Sequence, residues 1–279
     1  MTALRCGLIG AGLSRSRFGA ALALLGQENG LTVDYTLIDT EGLPDFDLPA
    51  TLARCRDTGW TGVSVTHPYK TDAARWAGAA MLPDVAHLGA CNLLTFGPTL
   101  SGHNTDFTGF LGAWRNTFGT RRPGRVAMAG AGGVAGALGG ALIALGAEDV
   151  ALWDPIPGRA STLADLLGSP ARAVAMDAAQ QASRAAHGLV NATALGMGTD
   201  TRSAFSPDWT DKQEWAFDAV YTPAETPFLQ NAATSGLICL TGFDLFRFMA
   251  IGSFAALSGH AADPALAALL DPLRPKEIA

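Results

Sequence analysis

Lysine is almost missing from this chain: of its 19 basic residues only Lys70, Lys212 and Lys276 are lysine, and arginine supplies the rest. Where arginine is the default cation, a retained lysine points to use of its titratable amine, because a guanidinium keeps its proton at neutral pH. Charge of either sign is sparse, at 16% of residues with a formal net of -6. No basic run is long enough to follow a phosphate backbone, so nucleic acid is not expected as a partner. Long apolar runs are also lacking. Arg, Asp, Gly or Pro interrupts each one before the roughly 18 residues a membrane span needs, so a soluble protein is expected. The start, MTALRCGLIGAG, lacks the cationic stretch and long apolar core of a signal peptide. The four cysteines (Cys6, Cys55, Cys91, Cys239) form no CxxC pair, which argues against a zinc site or a disulfide scaffold and fits a reducing cytoplasm.

What is plentiful is apolar residues, 48% of the 279, and glycine, with 33 residues set in clusters. The first is enough for one large or two modest cores. The second marks places where backbone turns sharply or approaches a ligand. CGLIG, VDYTLID (33–39) and TGVSVTHP (61–68) read as strands. GAALALLGQENG, TLARCRDTG and KTDAARWAGAA read as helices, giving a βαβαβα order and a mostly parallel sheet. LLTFGPTLSG is a further strand-like stretch, HNTDFTGFLGAWRNTF a connecting helix and RRPGR a linker. From Arg125 a second series begins: VAMAG strand, glycine turn, VAGALGGALIALG helix, DVALWD strand, RASTLADLLG helix, and later strands GLVNAT, EWAFDAVY and GLICLTG. The final forty residues read as helical. The expected organisation is an α/β substrate-binding domain over 1–106, a Rossmann-type dinucleotide domain over 107–237, and helices over 238–279 that return to the first domain.

Gly130, Gly132, Gly133, Val134 and Ala135 follow the VAMA strand and open a helix pattern, which is the context a dinucleotide fingerprint requires. The turn needs its first glycine, pyrophosphate approaches at the second, and small residues let helix and strand pack. Asp154 ends the next strand, where an acid meets a ribose 2′-hydroxyl and repels a 2′-phosphate. NAD is therefore expected rather than NADP; the bland alternative makes Asp154, before Pro155, a turn residue. The first glycine pair, Gly10 and Gly12, lacks an acid-terminated strand at the ideal distance and reads as a ligand loop without nucleotide.

Lys70 lies where the TGVSVT strand runs through a Pro turn into a helix, at the carboxyl end of a parallel strand, where open α/β sheets present ligand groups. A cation is slightly unfavourable in a helix's first turn, so a purely structural lysine fits poorly there. Asp106, in GHNTD, is either the carboxylate that holds this amine for proton transfer or the N-cap of the helix that follows. His67 and His103 have no ligand cluster around them, so no metal is expected.

GLIGAGLSRS, GVSVTHPYK, LGACNLL, GHNTDFTGF, GAGGVAGAL, NATALGM and DAVYTPAETPFL, in that order, resemble the shikimate/quinate dehydrogenase family over nearly the whole chain. The resemblance implies reversible hydride transfer between a nicotinamide cofactor and a ring hydroxyl of shikimate, quinate or a related hydroxylated ring acid. It implies Lys70 and Asp106 as the catalytic pair, Asn92 and Asp106 on ring hydroxyls, and Ser16 and Thr66 at the substrate's polar end with Tyr221 nearby. It places Thr193, Val220 and Gly242 beside the cofactor. The LWD ending in Asp154 is similar to the NAD-preferring branch. A monomer or homodimer is expected.

The departures fall in the substrate shell. Phe18 stands where the family has a second hydroxyl, Leu22 replaces a His, Ser64 an Asn and Met249 a Gln. Losing two charged hydrogen bonds at about 1.5–3 kcal/mol each costs roughly a hundredfold in affinity or more, which suggests a differently substituted ring. Arg17 and Arg247 are either replacement contacts or surface ion-pair partners. Phe243, Phe246 and Phe248 are either pocket lining or core. The competing functions are an NAD-binding regulatory paralogue without chemistry, which retention of Lys70 and Asp106 opposes, and a folate dehydrogenase, which GHNTD and NATALGM oppose.

Overall fold

Short apolar runs closed by glycine form the strands, and the alanine- and leucine-rich segments between them form the helices. In the computed structural model, residues 3–210 and 212–275 are described. The first series is β1 (Ala3–Gly10), α1 (Phe18–Glu28), β2 (Thr32–Asp39), α2 (Leu48–Asp57), β3 (Gly62–Val65), α3 (Lys70–Ala77), α4 (Pro83–Ala86), β4 (Leu93–Phe96), β5 (Leu100–His103) and α5 (Thr105–Phe118). Its sheet has the order β2-β1-β3-β4-β5. β1 pairs in parallel with β2 and β3, whereas β3–β4 and β4–β5 are antiparallel. LLTFGPTLSG is thus a hairpin and not one stretch, turned at Gly97-Pro98-Thr99, where proline cannot continue a ladder.

The second series is β6 (Arg125–Ala129), α6 (Ala135–Ala144), β7 (Asp149–Trp153), α7 (Arg159–Leu167), β8 (Ala171–Ala173), α8 (Ala179–Ala185), β9 (Gly188–Asn191), β10 (Trp215–Asp218), α9 (Pro227–Thr234), β11 (Ile238–Leu240) and α10 (Gly242–Ser258). The sheet order β11-β10-β9-β6-β7-β8 is parallel throughout. Counted from β8, strands three, two, one, four, five and six lie side by side: a doubly wound sheet whose order reverses between β6 and β9. β9 and β10 are buried along their whole length, as strands covered on both faces must be. β8 escaped the sequence reading because Ala-Arg-Ala is short, mostly exposed and without apolar alternation.

Contacts divide the chain into two compact units. One runs to Thr108 and includes Met249–Leu273, and the other holds Gly109–Phe248. The divisions fall inside α5 and α10. The RRPGR segment read as a linker is pinned instead to the second unit: Trp114 Nε1 donates to the Arg121 carbonyl at 2.8 Å and Trp215 Nε1 to that of Pro123 at 3.1 Å. α10 starts with a reciprocal cap. Asp244 accepts from the Thr241 amide and hydroxyl, and the Asp244 amide donates back to Thr241 Oγ1. Among the described residues no helix is long and apolar enough to cross a membrane.

Candidate active site

In the first unit the sheet order reverses around β1, whose neighbours are β2 and β3. The loops leaving β1 and β3 therefore flank a crevice at their carboxyl ends. The two loops are tied together: the Ala11 amide donates to the His67 carbonyl at 3.0 Å and the Thr66 amide to Ile9 at 2.9 Å. Gly10 has to be glycine, since a Cβ there would stand 2.3 Å from Thr66 Cγ2.

Lys70 is the first residue of α3, and its Nζ lies 2.5 Å from Asp106 Oδ2. The lysine side chain is 21% exposed and the aspartate 5%, so one end of an otherwise enclosed ion pair faces outward. The capping alternative for Asp106 is taken by Asn104, whose Oδ1 accepts the Phe107 amide at 3.1 Å. Asp106, two residues into the helix, is left to meet the lysine. Asn92, also buried, spends its Oδ1 on the Thr105 amide and hydroxyl at 2.6 and 3.1 Å, which leaves Nδ2 to donate to a ligand. Ser16 Oγ accepts the Phe18 amide at 3.3 Å, Phe18 opens α1, and Ser64 is buried in β3 between Leu8 and Leu93.

The sequence reading missed Asp39. It ends β2, and its two oxygens accept the amides of Gly12 and Leu13 at 3.0 and 2.8 Å, with a further bond from Glu41 at 3.0 Å. These amides hold its carboxyl below the usual range. Gly10–Gly12 does have its acid, farther along the chain than a standard spacing places it.

The second unit carries the same device. Asp154, just past β7, accepts the Ala131 amide on Oδ2 and that of Ile156 on Oδ1, both at 2.8 Å. Each oxygen keeps a lone pair for a ribose hydroxyl. Gly130 has φ 97°, and a Cβ there would come within 2.9 Å of the Ala192 carbonyl, whereas Cβ atoms at Gly132 and Gly133 would meet nothing within 4 Å. The turn is therefore tight on the protein side and open above, a shape that fits a pyrophosphate ahead of Ala135, where α6 begins after Val134. Thr193 faces Gly130 across the β6–β9 crevice, with its hydroxyl bonded to Asn191 Oδ1 at 2.7 Å. Gly242 lies so close to Val220 that a Cβ would stand 2.5 Å from its carbonyl oxygen. Tyr221 stacks on Phe246 at 5.6 Å, and Phe246 on Phe243 at 5.7 Å. Phe243, Phe246 and Phe248 are all buried, as core aromatics would be. Met249 is half-buried.

Asp218 organises this strand end. It is fully buried and accepts from Asn191 Nδ2, the Val220 amide and Thr226 Oγ1 at 2.9, 2.9 and 2.6 Å. Burial outweighs these donors and pushes its carboxyl up to about 6. The folded value exceeds the unfolded one of ~3.9, so the stabilisation is complete below about pH 4 and is lost as pH rises through 6. Asp218→Asn preserves the shape and removes the titration. Relative to that variant, the wild-type protein is expected to lose about 2 kcal/mol between pH 4 and 7, read by urea unfolding. A difference constant with pH would contradict the assignment.

Among the described residues, no group of three or more His, Cys, Asp or Glu could hold a metal ion.

Residues 8–94 match the shikimate dehydrogenase substrate-binding domain. The chain is 34% identical over 266 residues to a quinate/shikimate dehydrogenase (NAD(+)) of Corynebacterium efficiens, covering 91% of this chain and 92% of that one. Among solved structures, quinate dehydrogenase from Corynebacterium glutamicum in complex with NAD superposes with a TM-score of 0.89 at 30% identity, covering 96% of this chain and 98% of the other. Shikimate 5-dehydrogenase from Thermus thermophilus, in complex with NADP(H) and shikimate, gives 0.83 at 31%, covering 95% and 97%.

Proposed function

We propose that this chain, which belongs to the quinate/shikimate dehydrogenase family, is an NAD-dependent enzyme that reversibly oxidises a ring hydroxyl of quinate, shikimate or a related hydroxylated cyclohexane or cyclohexene carboxylate. The observation that carries this reading is the 2.5 Å contact of Lys70 with Asp106 at the crevice of the first sheet. Oxidation of an alcohol removes a hydride from carbon and a proton from oxygen. Bound NAD supplies the two-electron acceptor. Lys70 Nζ hydrogen-bonds the reacting hydroxyl and takes part in moving its proton as the C=O bond forms. Asp106 fixes the amine, balances its charge and offers its second oxygen to a neighbouring ring hydroxyl. Asn92 Nδ2 donates to the ring, and Ser16 and Thr66 bind its polar end.

On the cofactor side, the loop from Gly130 to Ala135 takes the pyrophosphate and Asp154 the adenine ribose, while Thr193, Val220 and Gly242 form the wall beside the nicotinamide. A carboxylate at the ribose favours NAD, because a 2′-phosphate would stand against it. With Phe18, Ser64 and Met249 in the substrate shell, the ring accepted carries fewer polar substituents than one recognised by a hydroxyl, an amide and a glutamine there. The test is reduced-nicotinamide formation from NAD across a panel of hydroxylated cyclohexane and cyclohexene carboxylates. Turnover of at least one is expected. NAD binding without turnover of any would overturn the reading.

A further inference from the structure

Arg17 is a half-buried residue with one enclosed guanidinium nitrogen. That nitrogen, Nη1, has no hydrogen-bond partner among the described residues. Arg5, Arg56, Arg75, Arg121, Arg125, Arg172, Arg184, Arg202 and Arg274 each meet a carboxylate. So does Arg247, the other candidate replacement contact, whose Nη2 pairs with Asp244 Oδ1 while its guanidinium lies 5.5 Å above the Phe243 ring. Arg247 is thus engaged inside the fold, with 18% of its side chain exposed, and is committed to Asp244. An enclosed donor nitrogen without an acceptor is costly, and an acceptor brought by a ligand at the crevice would satisfy it.

The position of Arg17 says what that acceptor is. The residue precedes α1 in the loop leaving β1, and that loop is fixed at two points: Asp39 holds the amides of Gly12 and Leu13, and the carbonyl of His67 holds that of Ala11. The second anchor belongs to the β3–α3 connection that delivers Lys70. Arg17 and Lys70 thus come from the two loops that flank the crevice between β1 and β3. Next to Arg17, Ser16 Oγ accepts the Phe18 amide and keeps its hydroxyl proton to donate to the same ligand group, and Phe18 brings no hydrogen-bonding group. Of the two guanidinium groups in the loop, that of Arg17 has an enclosed nitrogen, whereas Arg15 is exposed.

We infer that Arg17 is the specificity-determining residue that receives the substrate's carboxylate. This deepens the dehydrogenase reading and rests on it for the identity of the anion. A guanidinium presents a planar fork that matches a carboxylate with two parallel hydrogen bonds. It also makes the site selective for a ring that carries an acid over one that carries an amide or ester.

The experiment compares wild type with Arg17→Gln, using Arg15→Gln as a control in the same loop, because Arg15 is exposed. Initial rates are measured with NAD and the best ring acid of the panel, and with that acid's carboxamide. Thermal protection by the ring acid is measured in parallel. Arg17→Gln is expected to raise KM for the acid about 10- to 100-fold, with a smaller change in kcat. KM for the carboxamide should move less than about threefold, as should KM for NAD, and Arg15→Gln should behave as wild type. The rise in melting temperature that the acid gives the wild-type protein should vanish in Arg17→Gln.

An unchanged KM for the acid, or an equal rise for acid and carboxamide, would overturn the assignment while leaving the dehydrogenase reading intact. If wild type turns over no acid, the dehydrogenase reading fails, and thermal protection then decides Arg17 alone. Protection lost in Arg17→Gln sustains it; protection that is retained, or absent from wild type, refutes it.

Discussion

Lys70→Ala is expected to lower kcat by about 10²–10⁴-fold, the usual contribution of a positioned proton-transfer group. Lys70 Nζ and Asp106 Oδ2 are in contact and the carboxylate is 95% enclosed, with only 5% of its side chain exposed. Deleting the lysine leaves that carboxylate without its ion-pair partner, so part of any loss will be structural. Asp106→Asn separates the two effects: it keeps the shape and an acceptor for the amine but removes the charge. It is expected to lower kcat by a comparable factor with a smaller fall in melting temperature. Because the residues act as one unit, the double variant should be scarcely slower than the worse single one. Multiplying losses would mean that the pair does not work together. The same experiment addresses the scarcity of lysine: Lys70→Arg keeps the positive charge and should nonetheless be impaired by more than about tenfold.

Asp154→Ser carries the second large effect. Each Asp154 oxygen accepts one backbone amide at 2.8 Å, so the carboxylate both shapes the Gly130–Gly133 turn and presents charge to whatever binds there. Losing the turn weakens NAD and NADP alike, and only the charge distinguishes them. The ratio of kcat/KM for NAD to that for NADP isolates the charge and is expected to fall by about 100-fold or more. The wild-type carboxylate repels a 2′-phosphate by several kcal/mol and binds a 2′-hydroxyl by about 1.5–3 kcal/mol. An unchanged ratio would mean that Asp154 is only a turn residue.

Much of this could be read along the chain because each signal was local. Glycine after an apolar strand and before a helix pattern located the Gly130 turn, and an acid closing the next strand located Asp154. The Pro turn ahead of Lys70 located the end of β3. What could not be read depends on partners brought together by folding. On paper Asp106 is as natural an N-cap as a partner for Lys70, and only the Asn104 bond to Phe107, which the sequence reading did not consider, releases Asp106 to meet the lysine. Asp39 stood in plain view at the end of VDYTLID, but a standard spacing dismissed it, and only the three-dimensional turn brings Gly12 and Leu13 to it. RRPGR has the composition of a linker, yet two tryptophans hold its carbonyls. β8 lacked a pattern because an exposed three-residue edge strand does not need one. The state of Arg17 was the least legible, since a sequence shows an arginine but not whether an acceptor reaches it.

The central claim is that a hydride leaves a hydroxyl-bearing ring carbon for NAD while Lys70 and Asp106 handle the proton. Its most direct test uses the ring acid accepted in the panel, deuterated at the carbinol carbon, with mass analysis of the reduced cofactor. One deuterium per reduced nicotinamide is expected, with none formed by Lys70→Ala on the same timescale. Reduced nicotinamide without the label, or equal formation by Lys70→Ala, would contradict the account.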